Sequence, residues 1–215
     1  LVRHWRKTGK VEPNKPKARE RESARVKDLR AEFLAEQVEL KDKRLFFLDE
    51  SGFSLGSCSR YGWSKKGEKA YGSETCGSWQ TIIMLGAMNA DNICSFMTID
   101  SGTTLDVFNV FIDTQLIKHL RKGDCVIMDN IASHKNGTII KKIEATGAEV
   151  KFLPPYSPDL NPIEKLWSKL KESLRRLNTI TREMLEEAIA KALTYISTDD
   201  LQAWIKHCGY EITSY

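Results

Sequence analysis

At 215 residues, with 41% hydrophobic and 29% charged side chains, the chain is long enough to bury one full core and too mixed in character to be fibrous or wholly disordered. No apolar run reaches the ~20 residues of a membrane span and no charged-then-apolar leader opens the chain, so a cytoplasmic protein with no membrane partner is expected. The five cysteines (Cys58, Cys76, Cys94, Cys125, Cys208) are odd in number, far apart and not clustered with histidine, which argues against a zinc site and for reduced thiols.

The net charge of +4 is unevenly placed. Residues 1–30 carry eleven Lys and Arg against four Asp and Glu, a net +7, which leaves −3 for the rest. A basic arm on a mildly acidic body suits a polyanionic partner; a solvated leader accounts for the same charge equally well.

Taken in order, residues 1–10 (LVRHWRKTGK) read as the end of a basic helix stopped by Gly9, and residues 11–22, with two prolines and dense charge, as a linker. Ser23 to Gln37 has helical spacing, with Val26, Leu29, Phe33 and Leu34 on one stripe. Arg44 to Ser51 contains LFFL, a strand buried on both faces. An irregular segment from Gly52 to Ser78 then leads to two strands, Thr81–Met88 and Ile93–Ile99, joined by the hairpin-type turn NADN. Leu105–Leu120 reads as a helix, Cys125–Met128 as a strand, Gly137–Ala145 as a short helix and Glu149–Leu153 as a fifth strand. Helices follow from Asn161 to about Leu177, over Thr181–Tyr195 and over Thr198–His207. That order predicts an α/β fold, a mixed five-stranded sheet flanked by helices.

Two of the apolar strands end in an aspartate, Asp49 in LFFLDES and Asp129 in CVIMDNIASH. As parallel neighbours they would bring both acids to the carboxyl end of the sheet, where open α/β sheets build their sites. The fifth strand opens at the same end into LPPYSPDLNPIE, a loop that three prolines leave with few shapes, and Glu164 stands in the first turn of the next helix. Asn161 there resembles an N-cap with Pro162 at the first helical position, and Asn161-x-x-Glu164 by itself reads more readily as a capping box than as chemistry.

Three carboxylates at one place repel and would take up protons unless a divalent cation neutralises them. With no His or Cys cluster the donor set suits hard ions, Mg²⁺ or Mn²⁺. Two such ions about 3.5–4 Å apart activate a water or a 3′-hydroxyl and stabilise the leaving oxygen of an in-line phosphoryl displacement. That is phosphodiester chemistry, and the basic arm supplies a matching contact.

Together FLDESGF, VIMDNIASHK and LPPYSPDLNPIEKLWSKLK resemble the catalytic domain of mariner-like DDE transposases in their bacterial insertion-sequence branch, with 34 residues between Asp129 and Glu164 as that family has. The resemblance runs from about Leu45 to Tyr210 and implies a ribonuclease-H-like fold shared with retroviral integrases. It implies that Asp49, Asp129 and Glu164 are the catalytic and metal-holding acids, with Asp49 between two ions and each of the others on one. The reaction implied is water attack on DNA at the element end, then attack of the freed 3′-hydroxyl on target DNA, with no covalent enzyme–DNA intermediate. Transposon ends and target DNA are the implied partners, handled by a homodimer or larger assembly, in a bacterial cytoplasm at the nucleoid.

Other residues carry two readings each. Arg3, Arg6, Lys7, Lys10 and Lys135 suit DNA phosphates; Arg60, Trp63, Lys65 and Lys66 suit a DNA-tracking loop or an ordinary solvated hairpin. His134 orients a phosphate or water, or is a hydrogen-bonded loop histidine. Asn130, Tyr156 and Asn161 would support the acids, Tyr156 alternatively packing on the prolines. Glu50 faces away from Asp49 by strand alternation, and Trp167 and Leu170 are expected in the core. The expected division is residues 1–22 as the tail of a DNA-binding region with its linker, 23–43 as a linking helix and 44–210 as the catalytic domain. Family members carry two helix-turn-helix units before that domain, and residues 1–44 match only the tail of one. A DNA-binding remnant without catalysis is therefore the alternative to an active transposase domain.

Overall fold

The computed structural model describes residues 19–56, 69, 80–100, 102–131, 135–177, 179 and 181–212. Its centre is β1 (Leu45–Ser54), flanked by an antiparallel strand on one side and a parallel one on the other. The other strands are β2 (Thr81–Met88), β3 (Ile93–Ile99), β4 (Cys125–Met128) and β5 (Glu149–Phe152). Their order is β3-β2-β1-β4-β5, with the hairpin β2–β3 on one wing and the parallel pair β4–β5 on the other. This is the mixed sheet that the element order predicts, and β1 runs three residues further than expected, to Ser54.

Alternation along β1 sends neighbouring side chains into two cores. Phe47 and Phe53 face the core shared with α1 (Ala24–Gln37), α4 (Ile163–Leu177), α5 (Arg182–Leu193) and α6 (Thr198–His207). Phe46 and Leu48 face the opposite core, under α2 (Leu105–Phe111) and α3 (Gly137–Glu144). Phe46, Phe47 and Leu48 are fully buried, which is why that run carries no polar side chain.

The amino ends of β1 and β4 are tied by Arg44, which grips the buried Asp124 with Nε–Oδ1 at 3.0 Å and Nη2–Oδ2 at 2.6 Å. A bidentate pair with a buried carboxylate holds strand register at the end of the sheet away from Asp49. Among the described residues no helix is long and apolar enough to cross a membrane, and Cys94, Cys125 and Cys208 are free thiols.

Three local expectations need correction. Leu34 is 45% exposed; the buried stripe of α1 is Val26, Phe33 and Gln37, because Leu34 lies a step around the helix from Phe33. The stretch expected as linker ends in a 3₁₀ turn, Arg19–Glu22, before α1. The helix expected to Leu120 is α-helical only to Phe111, then a π turn over Ile112–Leu116 and a 3₁₀ turn over Ile117–His119. The Thr114 hydroxyl donates to the Val110 carbonyl at 2.7 Å, competing with the helical ladder at that point.

Asn161 is the third. Its backbone carbonyl accepts the Glu164 N–H at 3.2 Å, but its buried side-chain Oδ1 accepts no hydrogen bond, so the capping box is not formed. By contrast Thr181 caps α5 as its sequence suggests, accepting from the Met184 N–H.

Candidate active site

β1 and β4 run parallel with Leu48 beside Met128, so Asp49 and Asp129 are the next residues along two neighbouring strands. Parallel neighbours lie about 4.8 Å apart, and both aspartates stand where the parallel pairing of β1 with β4 ends, β1 itself continuing beside β2. β5 pairs with β4 through Phe152 and Met128, and beyond it the chain turns through Leu153–Pro158 into α4. Glu164 sits in the first turn of α4. Asp49, Asp129 and Glu164 thereby line one cleft, together with Asn130, Ile131, Tyr156, Ser157 and Asn161.

The field in that cleft is visible in Asp49. It is 8% exposed, and its carboxyl is pushed up to about 7 from an ordinary 3.8. Burial is the main cause, and the Glu164 and Asp129 charges add to it, while hydrogen bonds from the Glu50 backbone and the Trp167 side chain pull the other way. Three acids from remote parts of the chain therefore share one electrostatic site.

A residue assigned only to the core completes the setting of Asp49. Trp167, one turn after Glu164 on the buried stripe of α4, donates its indole N–H to Asp49 Oδ2 at 3.1 Å. The indole fits there because Gly86 stands opposite Asp49 on β2. A Cβ on Gly86 would lie 2.5 Å from Trp167 Cη2. A glycine inside TIIMLGAM was a visible signal of close approach by another group. Its partner could not be read without the strand register.

Among the other expected residues, Asn130, Tyr156 and Asn161 do line the cleft. Tyr156 is half exposed. Lys135 is exposed with Nζ 5.8 Å from the Phe152 ring centroid. Glu50 pairs with Leu85 and points to the face opposite Asp49. Lys171, half-buried on α4, lies with Nζ 5.4 Å from the Phe53 ring centroid, and its pKa is lowered by burial against the pull of Glu164 and Asp49. Lys169 is spent on Asp200 at 2.7 Å, tying α4 to α6. Arg3, Arg6, Lys7, Lys10, Arg60, Trp63, Lys65, Lys66 and His134 lie outside the described residues.

In chemistry the cleft fits a hard divalent cation: its side-chain donors are carboxylate oxygens, and the buried Asn161 Oδ1 beside them lacks a hydrogen-bond donor. In spacing it is open, since among the described residues no three His, Cys, Asp or Glu side chains are gathered into a preformed metal cage.

A parallel β1–β4–β5 set with acids where its pairing ends, beside an antiparallel hairpin, is the ribonuclease-H-like arrangement. The chain belongs to the DDE superfamily endonucleases, whose family pattern matches residues 44–186. Among solved structures it is similar to the Mos1 strand transfer complex, with a TM-score of 0.71 and 16% identity over 95% of this chain and 63% of that one. It is also similar to the catalytic domain of Mos1 mariner transposase, with a TM-score of 0.62 and 13% identity over 90% and 91% of the two chains. A third is the mariner Mos1 paired end complex with Mg, at 0.66 and 15% identity over 96% and 64%. At such identities the likeness is one of fold, and the chain spans under two thirds of the length of the chains in those complexes. No curated protein sequence matches it.

Proposed function

We propose that this chain is the catalytic part of a DNA transposase of the mariner-like, bacterial insertion-sequence branch, cutting DNA and joining the freed 3′ end to a target. The observation that carries this reading is the convergence of Asp49, Asp129 and Glu164 on one cleft, where burial first and then the two neighbouring charges raise the Asp49 carboxyl to about 7. Residues 44–210 form the catalytic unit in this reading, 23–43 link it, and 1–22 continue a DNA-binding region.

Asp49 would hold both of two Mg²⁺ or Mn²⁺ ions, with Asp129 on one and Glu164 on the other. When bound, such ions supply Lewis acidity for an in-line phosphoryl displacement. The chain's own work is to aim the acids. Trp167 fixes one Asp49 oxygen, and the stiff proline loop sets where α4 begins and hence where Glu164 stands. A paired-end assembly on transposon ends, as the Mos1 structures show for that protein, would be the working form here, in the cytoplasm at the nucleoid. The second reading, a DNA-binding protein without catalysis, draws on the absence of a preformed cage among the described residues.

The deciding experiment is nicking of end-labelled and supercoiled DNA with Mg²⁺ or Mn²⁺. The chain is expected to nick, and Asp129→Ala to lose at least about a hundredfold of that rate, since even the partners that only support a metal ligand are worth about 10–100-fold. Equal nicking by the variant overturns the mechanism, and binding without nicking selects the second reading.

A further inference from the structure

The loop between β5 and α4 holds the single non-glycine residue with positive φ among the described residues, Tyr156 at φ 56°. An aromatic side chain is a poor occupant of the left-handed region, and it stays there only where its surroundings leave no alternative. Here they do not. Pro154, Pro155 and Pro158 restrict the chain on both sides. Next to Tyr156, the buried Ser157 accepts from Arg30 Nη1 at 2.6 Å and donates to the Pro155 carbonyl at 3.1 Å. Asp159 is held by Arg30 Nη2 at 2.8 Å and Arg21 Nη2 at 2.9 Å. The loop is thus bolted to the amino-terminal helix α1.

The outcome is a phenol ring 50% exposed at a cleft it shares with all three acids. Burial does not explain the strain, since the ring is not buried. A glycine or asparagine would take the same backbone without it. Ile131, 40% exposed, lines the same cleft just beyond Asp129. With a volume of about 460 Å³ the cleft has the size of a site for one small molecule or nucleotide, not for a double helix.

We propose that Tyr156 is a nucleobase-stacking platform: the base adjacent to the phosphate held at the acids lies unpaired against its ring. This rests on the nucleic-acid reading above but names a contact that reading does not contain. Aromatic stacking on a base needs no particular sequence, whereas it does need a π face presented at fixed height, which the strained, bolted loop supplies.

The test compares binding of the full chain, in Ca²⁺ buffer, to a twelve-nucleotide oligothymidylate and to an abasic strand of the same length. Both carry the same phosphates, so charge contributes equally and only stacking separates them. The chain is expected to favour the base-bearing strand about fivefold or more, the fold-change of one stacked base. Tyr156→Phe and Tyr156→Trp keep that ratio, and Tyr156→Asn brings it toward one while leaving the melting temperature unchanged or higher. A ratio in Tyr156→Asn equal to that of the unsubstituted chain overturns the proposal, as does a melting temperature lowered by several degrees, which would make the ring a packing element. The nicking assay fails separately: a chain that nicks but does not prefer bases sinks the stacking platform alone, and one that prefers bases but never nicks sinks only the enzyme reading.

Discussion

Asp49 is where burial and charge meet. An aspartate held near 7 in the folded, metal-free chain but near 3.8 when unfolded binds its proton more tightly in the folded state. Its contribution to stability is therefore complete below about pH 3.8 and is lost as pH rises toward 7, a change on the order of 4 kcal/mol at most. Asp49→Asn keeps the shape and removes the charge. In EDTA the variant is expected to melt several degrees above the unsubstituted chain at pH 8 and to lose that advantage toward pH 4. A difference in melting temperature that stays flat across this range would show that Asp49 is not held protonated. The opposite sign is expected for divalent ions, which stabilise the unsubstituted chain and not the variant.

At the scale of elements, the site depends on how closely α4 lies on the sheet. Trp167 reaches Asp49 across the bare backbone of Gly86, and its ring meets Phe53 edge-on with centroids 6.1 Å apart. Gly86→Ala would place a methyl group 2.5 Å from the indole, and overpacking of this kind costs about 1–3 kcal/mol. The urea midpoint is expected to fall accordingly, and nicking to fall further than stability alone explains, because the Asp49 hydrogen bond is lost with the displaced ring. A variant with both properties unchanged would mean that α4 shifts freely on the sheet. The amino end of α4 has its own ties. Tyr210, after α6, donates its hydroxyl to the Leu160 carbonyl at 2.8 Å and so braces the turn that precedes Glu164.

For the whole molecule the governing feature is separation of charge, +7 over residues 1–30 against −3 elsewhere. A cleft lined by acids repels phosphates at long range, so attraction must come from the basic segment. Residues 1–18 carry six Lys and Arg and one Glu. The affinity of the chain for duplex DNA is expected to fall steeply with salt, and removal of residues 1–18 to flatten the slope of log K against log salt by several units. An unchanged slope, measured by fluorescence anisotropy, would place the DNA contacts on the body instead.

The acids could be found in the sequence because each ends a pattern with a local cause. An unbroken apolar run such as LFFL or CVIM is stable only inside a sheet, and the first acid after it stands where the parallel pairing of β1 with β4 stops. Prolines and a following apolar stripe likewise mark the loop and helix that carry Glu164. Local rules failed where two chemistries compete for one residue. Asn161 has the sequence of a cap but not the hydrogen bond. Trp167 has the spacing of a core residue but also a polar end that reaches Asp49, 118 residues away. The Arg30–Asp159 bolt joins segments 129 residues apart. Chain sterics and the exclusion of apolar side chains from water leave a local imprint, so the sequence by itself determined most of the elements, their order and the place of each acid just after an apolar run or in a first helical turn. Which side chains then touch is set by strand register and by the seating of α1 and α4 on the sheet, properties of the packed molecule that only the tertiary structure decided.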